Sequence, residues 1–338
     1  LAIDQKVLDT VVSVIGKGPH KLHEPIIGMA EQFNIDKVLE SGHLSSGPWV
    51  NQFEASLAKF IGAKFCVATC SGTAALHAAY SVVFQTDKTI LVPSLTFIAT
   101  ANPLMWLGIE PYFTDYNHGA KIAVPIIGHP VSDGYRFQDA SQALGSKQFG
   151  KYIGATGTAI FSFNQNKPIT TGGGGAIVTD DENLYRKLKH LTTTARIPHR
   201  WEVAHDAIGF NYRMPDINAA IGCAQLARLP GIIKAKRSLA QAYIEAFKSI
   251  PGVSVWEEPD GTESNYWLVA IKFESHDEQQ MALWKLANAG IQARMLPKPL
   301  HLLPMYADCK RTTMDETEYL YRHIICLPSS PQLGLKYA

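Results

Sequence analysis

Residues 157–180 read GTAIFSFNQNKPITTGGGGAIVTD. Two short β-rich runs, 158–163 and 176–179, flank a polar loop that carries one lysine, Lys167, and ends in four consecutive glycines, 172–175. A lysine between two buried strands is poorly placed for a solvated charge, and buried lysines shift their pKa or form Schiff bases. Four glycines let the backbone pass close to something bulky, with no Cβ in the way. The competing reading is a surface hairpin whose lysine is solvated.

The rest of the chain alternates between short apolar runs and helical segments. Candidate strands are 64–69, 89–93, 111–115, 122–127, 135–139, 158–163 and 176–179. Most are continuous apolar runs, as expected of strands covered on both faces of a largely parallel sheet. The large domain is therefore expected to be α/β. Residues 1–40 read as an N-terminal helical segment, followed by a Ser/Gly/Pro-rich loop at 41–49 and a helix at 50–61 with Phe53, Leu57 and Phe60 on one face. Further helices are expected at 180–190, 215–229 and 232–250, the last crossing into a second domain. That domain has strand signals at 266–273, helical periodicity at 277–289 and a Pro-rich loop at 295–306. The expected division is 1–40, a large domain at 41–231 and a small α+β domain at 232–338.

Two connections are too short for parallel crossovers, which need a dozen or more residues. Residues 115 and 122 are too close in sequence, and so are 127 and 135, and neither link has a two-residue hairpin signature. The expectation is that residues are missing between 115 and 135 and that the numbering closes over them.

The net charge of +1, with no basic stripe, argues against a nucleic-acid partner. Five cysteines (Cys66, Cys70, Cys223, Cys309 and Cys326) form no CxxC pair, which fits free thiols in a reducing compartment better than disulfides or a zinc site. No apolar run approaches a membrane span and the N-terminus lacks signal-peptide regions, so the cytoplasm is the expected location and no membrane contact is expected.

Three segments could join Lys167 at one sheet edge. SGTAALHAAY, at 71–80, follows a strand and opens a helix, which makes it either an ordinary cap or an anion site built from free N–H groups and the helix dipole. Asp139, in RFQDASQALGS, ends a buried strand; it either caps the next turn or faces a ligand. Phe97, in TFIATANPL, either packs in the core or covers a flat ring. Pyridoxal 5'-phosphate needs a lysine for its imine, a phosphate cradle, a carboxylate for its ring nitrogen and usually a stacking face, so one cofactor accounts for all four.

With these motifs in view, the sequence resembles the DegT/DnrJ/EryC1/StrS family of nucleotide-sugar aminotransferases. The likeness rests on CSGTAALHAA, PSLTFIATAN, DASQALGS, FSFNQNKPITTGGGG and GFNYRMPDINAAIGCAQL and runs from about residue 44 to 333. The resemblance implies a fold-type I pyridoxal-phosphate enzyme of the aspartate aminotransferase kind, with a mostly parallel seven-stranded sheet in the large domain. It implies that Lys167 carries the cofactor, that Asp139 partners the pyridine nitrogen, that Gln142 lies near the ring and that Phe97 stacks on it. Gly72, Thr73 and Ser162 match phosphate-holding positions. Asn211 matches an asparagine that reaches the phosphate of the neighbouring subunit, which implies a homodimer with shared active sites; Asn211 and Arg213 otherwise read as solvated groups of a helix-entry loop.

Two positions depart from the family pattern, which commonly has histidine where Asn164 stands and glutamate where Gly173 stands. The FNxNK and TTGGGG wording is most similar to the branch acting on UDP-4-keto-6-deoxy-N-acetylhexosamines in legionaminic acid or bacillosamine pathways. The implied reaction is a ping-pong transfer from L-glutamate to the C4 ketone of a nucleotide-linked sugar, for surface glycan or nonulosonic acid biosynthesis. Rivals on the same fold are a sugar dehydratase, which has histidine in place of the lysine and is opposed by Lys167, and a non-catalytic regulatory homologue. His301, in KPLHLLPMY, is a candidate on the sugar side or a loop histidine packed against prolines; His205 and Tyr212 are unassigned.

Overall fold

The computed structural model describes residues 2–131 and 136–338. The runs without polar alternation form its central sheet: β1 (Phe65–Thr69), β2 (Thr89–Pro93), β3 (Glu110–Thr114), β4 (Phe137–Asp139), β5 (Thr158–Ser162) and β6 (Gly175–Thr179). β6 pairs antiparallel with β1 on one side and with β5 on the other, while β5 pairs parallel with β4 and β2 parallel with β3. Residues 121–123 join the two groups. The Lys121 N–H donates to Leu91 O at 2.8 Å, the Ala123 N–H to Phe137 O at 3.1 Å, and the Asp139 N–H to Ala123 O at 2.9 Å. The order β1, β6, β5, β4, 121–123, β2, β3 therefore fills seven positions, as a fold-type I α/β sheet requires.

The expected strand at 122–127 shrinks to a single parallel bridge, Ala123 with Gln138. Pro125 has no N–H to offer a ladder, and the chain closes into a tight turn at Ile126–Gly128, where Ile127 adopts φ 51. The expected strand at 135–139 begins at Phe137, and Tyr135 lies outside the described residues. Between 115 and 122 the chain turns without a crossover helix: the His118 N–H donates to Asp115 O, and the Asn117 side chain bonds both N–H and O of Val124. The expectation of missing residues falls in part on 132–135, which are outside the described residues.

Alternation along each strand divides the core into two layers. Ala159, Phe161, Ala176 and Val178 face a layer with Phe53 and Leu57 of α1 (Pro48–Ile61) and with Leu226 and Leu229. Ile160 and Ile177 face the opposite layer, with Leu76 and Tyr80 of α2 (Gly72–Val83) and Leu188 of α3 (Glu182–Leu191). β5 and β6 are thus apolar on both sides, which is why the sequence shows runs rather than alternation there.

A second sheet near the C-terminus is wholly antiparallel: β7 (Val253–Val255), β8 (Val269–Phe273), β10 (Ile324–Leu327) and β9 (Arg294–Met295), in that order. Its core includes Val7 and Val11 from the helix Ile3–Ile15 at the start of the chain, packed with Tyr243, Phe247 and Ile271. The helices expected at 215–229 and 232–250 are one 32-residue helix, α4 (Asp216–Phe247), which continues past Pro230. Proline removes one N–H bond there, but packing on both sides outweighs the loss: Leu229 and Ile232 lie in the first core, and Leu239 and Tyr243 in the C-terminal one. Among the described residues no helix is long and apolar enough to cross a membrane.

Lys236, fully buried on α4, donates to Trp267 O at 3.1 Å and also to Ser329 O. Burial pushes its pKa down to about 7 from the ordinary 10.5. Lys236→Met leaves two buried carbonyls without this donor and is expected to destabilise by about 2–4 kcal/mol at pH 9. Between pH 7 and 10.5 the unfolded chain holds a proton on this lysine that the folded chain has released, so the contribution of Lys236 grows as pH rises through that window. Denaturant titrations should show the gap between wild type and variant widening from pH 7 to pH 9; a constant gap would mean that Lys236 does not titrate there.

Candidate active site

β5 and β6 lie side by side with Ser162 opposite Gly175, and the link between their ends, 163–174, carries Lys167. The link is a hairpin in topology, with Asn164 and Gln165 exposed but residues 168–171 buried. The Phe163 N–H donates to Gly174 O and the Thr171 N–H to Phe163 O, while Asn218 Nδ2 donates to Thr171 O at 2.7 Å and Gly173 O at 3.1 Å. A cavity of about 570 Å³ opens above it, within the size range of small-molecule sites. Lys167, Asp139, Gln142, Phe97, Ser162, Gly72 and Thr73 all line this cavity.

Lys167 is half-buried and lines the cavity. Protein surrounds the amine closely enough that burial, helped by the charge of Arg294, lowers its pKa to about 7; Asp139 acts in the opposite direction. Its Nζ lies 4.1 Å from the centre of the Trp267 ring. A near-neutral pKa leaves both protonation states populated at physiological pH, which suits an amine that must attack a carbonyl and also carry a proton.

Asp139 sits at the end of β4 and is buried. Thr100 Oγ1 donates to Oδ2 at 2.6 Å and Ser141 Oγ to Oδ1 at 2.5 Å, while Thr96 and Thr100 hydroxyls are 2.7 Å apart. The carboxylate thus caps the next turn and also lines the cavity. Gln142 is fixed by the Ile127 N–H, which donates to Oε1 at 2.7 Å. Phe97 is 59% exposed, so its ring is available at the cavity wall rather than spent on the core.

The N-terminus of α2 packs closely on the sheet ends. Ser71 caps α2 by accepting from the Ala74 N–H at 3.0 Å. A Cβ on Gly72 would lie 2.9 Å from the Ser162 Cβ, and one on Gly175 would lie 2.4 Å from Ser71 O. Glycine at both places lets the helix N-terminus settle against the ends of β5 and β6, where backbone N–H groups and hydroxyls gather. By contrast, the nearest atom to a Cβ on Gly173 would be Cys70 O at 3.8 Å, so there is room for a β-carbon there.

Two residues singled out in the sequence lie elsewhere. Asn211 is exposed and bridges Thr193, outside the cavity lining. His301 turns away although Leu300 and Leu303 line the cavity: its Nδ1 meets Ser94 Oγ at 2.7 Å and its Nε2 meets Glu318 Oε1 at 3.3 Å. Burial lowers the His301 pKa, against the opposing pull of Glu318. Tyr212 bonds His77 Nδ1 at 3.0 Å, and His205 bonds Thr194 O.

Sequence reading missed Trp267, Arg294 and Lys298, all of which line the cavity. Trp267 is held by its Nε1–H, which donates to Asn166 O at 2.6 Å, and by its backbone N–H, which donates to Asn265 Oδ1 at 2.8 Å. The signal was a tryptophan at the mouth of an apolar strand in SNYW, legible as strand but not as site.

The amine, the fixed carboxylate, the aromatic wall and the tight glycine-lined cradle fit pyridoxal 5'-phosphate. The signature of the DegT/DnrJ/EryC1/StrS aminotransferase family matches residues 25–124 and 135–337. The chain is 32% identical to a GDP-perosamine synthase of Escherichia coli O157:H7, over 93% of this chain and 94% of that one. It is 29% identical to the UDP-4-amino-4,6-dideoxy-N-acetyl-beta-L-altrosamine transaminase of Campylobacter jejuni, over 91% of this chain and 92% of that one. Its structure superimposes on PseC of Helicobacter pylori, an aminotransferase involved in pseudaminic acid biosynthesis, with a TM-score of 0.87 at 27% identity, covering 94% and 95% of the two chains. Site chemistry, sheet order and sequence agree: the chain belongs to the DegT/DnrJ/EryC1/StrS aminotransferase family and is a pyridoxal-phosphate-dependent sugar aminotransferase.

Proposed function

We propose that the enzyme aminates C4 of a UDP-linked 4-keto-6-deoxy-N-acetylhexosamine, with L-glutamate as amino donor, in the making of a surface glycan or nonulosonic acid. The observation that carries this reading is Lys167, with its pKa near 7, lining one cavity with the anchored Asp139. The likeness to the Campylobacter transaminase supports the UDP-sugar class.

Pyridoxal 5'-phosphate, when bound, supplies the carbonyl that carries the amino group between substrates and the ring that accepts electrons from the reacting carbon. This chain supplies the rest. Lys167 Nζ would hold the cofactor and, once freed as an amine, would take the proton from the donor carbon as general base and deliver it as general acid to the cofactor carbon that receives the amino group. Asp139, its rotamer fixed by Thr100 and Ser141, keeps a proton on the ring nitrogen. Gly72, Thr73 and Ser162, all in the cavity lining, would hold the phosphate, and Phe97 and Gln142 would flank the ring. Asn211, exposed on the single chain, reaches the phosphate of a neighbouring copy in a homodimer.

Asp139→Asn keeps the shape and removes the charge. Amino transfer is expected to fall by about 10²- to 10³-fold while the protein stays folded, as measured by kcat and circular dichroism; an undiminished kcat would remove Asp139 from the mechanism. The function as a whole is tested by incubating the enzyme with L-glutamate and UDP-4-keto-6-deoxy-N-acetylglucosamine and assaying the 4-amino sugar. No product from any keto-sugar nucleotide would refute it, and product only from a GDP-linked 4-keto-6-deoxyhexose would overturn the sugar assignment.

A further inference from the structure

Asp139 stands at the end of a chain of hydroxyls rather than beside a single one. Thr100 Oγ1 donates to its Oδ2 at 2.6 Å and lies 2.7 Å from Thr96 Oγ1. A threonine hydroxyl carries one proton. Thr100 gives its own to the carboxylate, so it accepts from Thr96, and both dipoles run toward Asp139. All three residues are buried, where a low dielectric strengthens such a chain and each bond polarises the next. The chain is also fixed in space. Tyr80 Oη of α2 donates to Thr100 O at 3.1 Å, and the Thr96 N–H donates to Ser94 O at 3.1 Å. Burial, and then the charge of Asp139, raise the Tyr80 pKa well above its ordinary value, so the phenol keeps the proton it donates. On the other side of the carboxylate, Ser141 Oγ donates to Oδ1 at 2.5 Å.

We propose that Thr96 and Thr100 are positioning residues that hold Asp139 toward the ring nitrogen of the cofactor, Thr96 acting through Thr100; the role rests on Asp139 as the partner of that nitrogen. A carboxylate in that place has to be oriented without being neutralised. Arginine or lysine would orient it but would also pair its charge, leaving less to act on the ring. Hydroxyl donors give direction and no charge. With Oδ1 bonded to Ser141 and Oδ2 to Thr100, the carboxylate is set from both sides. Without the Thr96 proton, Thr100 loses the bond that polarises it, and the turn that carries it loses its side-chain closure. That turn, Ile98–Thr100, begins at Phe97, which makes no side-chain cap of its own and lines the cavity. An effect carried by Phe97 would reach any flat ring, whereas an effect carried by Asp139 needs the nitrogen.

Two cofactors separate these routes. Apoprotein is titrated with pyridoxal 5'-phosphate and with its 1-deaza analogue, which has carbon in place of the ring nitrogen, and each Kd is read from the quenching of tryptophan fluorescence. Thr96→Val keeps the β-branch and removes the hydroxyl. It is expected to weaken binding of pyridoxal 5'-phosphate by about 3- to 10-fold and to lower kcat by a similar factor, with the Kd for the 1-deaza analogue within about twofold of wild type. Thr100→Val, one bond nearer, should weaken pyridoxal 5'-phosphate by about 10- to 100-fold. Thr96→Ser restores the hydroxyl and should return both readings to within about twofold of wild type. In an Asp139→Asn background Thr96→Val should change neither Kd nor kcat by more than about twofold, because the charge it serves is gone. Equal weakening of both cofactors, or a full effect in that background, overturns the inference and leaves the threonines acting through Phe97 and the turn. If wild type binds the two cofactors equally, the assignment of Asp139 to the ring nitrogen fails and takes the inference with it; if wild type tells them apart and Thr96→Val and Thr100→Val do so equally well, the inference alone falls.

Discussion

Lys167→Ala is expected to lower amino transfer by on the order of 10⁴-fold and to remove the visible absorbance of the lysine-bound cofactor. The alanine cannot form the imine and cannot carry the proton, and no other lysine of the cavity lining shares its place on the Trp267 indole. The fold should not suffer. Burial lowers the Lys167 pKa, so taking the amine away relieves a desolvated charge at neutral pH rather than breaking a support. Thermal unfolding of the apoprotein should therefore begin no lower in the variant. Lys167→Arg separates the functions further, because the guanidinium keeps the charge over Trp267 and cannot form the imine. Transfer retained in either variant would refute the assignment of Lys167.

Gly175→Ala is the second large effect, and it acts through backbone alone. The added Cβ would lie 2.4 Å from Ser71 O, 2.5 Å from Ser71 C and 2.6 Å from Gly72 N. No rotamer relieves a contact with main-chain atoms, so β6 and the N-terminus of α2 must move apart. Destabilisation of about 3 kcal/mol is expected from overpacking of this kind, together with weaker retention of the cofactor, because the displaced atoms are those of the cradle. Gly173→Ala is the matched control: it meets nothing closer than 3.8 Å and is expected to stay within about 0.5 kcal/mol of wild type. Equal stability of the two variants in urea titrations would show that the close approach at 175 is not rigid.

Features legible in the sequence were those that depend on neighbours in the chain. Strands at 65–69 and 158–162 stood out because both faces of each are buried, which leaves no polar alternation to confuse, and 89–93 stood out by its apolar run although Leu91 is exposed. The helix opening at Gly72 followed from small residues after a strand, and Lys167 from a cation placed between apolar runs. Where a single residue decided the geometry, pattern was a poor guide. Pro125 broke a run that reads as strand, whereas Pro230 failed to break a helix because two cores grip its flanks. Trp267 and Arg294 were not legible for a different reason. They reach the cavity from a sheet folded back across more than a hundred residues of chain, and nothing local to either marks the amine they would meet. His301 shows the converse, a residue type suited to chemistry that Ser94 and Glu318 draw away from the cavity.

The single helix α4 acts as a shaft between the catalytic sheet and the C-terminal sheet, about 48 Å long at 1.5 Å per residue. One of its ends is locked into the wall beneath Lys167 and the other into the layer under β8, so angular phase is transmitted along it without slack. Deleting one residue between Leu229 and Lys236 would turn everything beyond by about 100°. Lys236 would then swing off the carbonyl of Trp267. Natural variation in the length of this segment should accordingly be absent or come in whole turns, even though no residue in it touches the cavity.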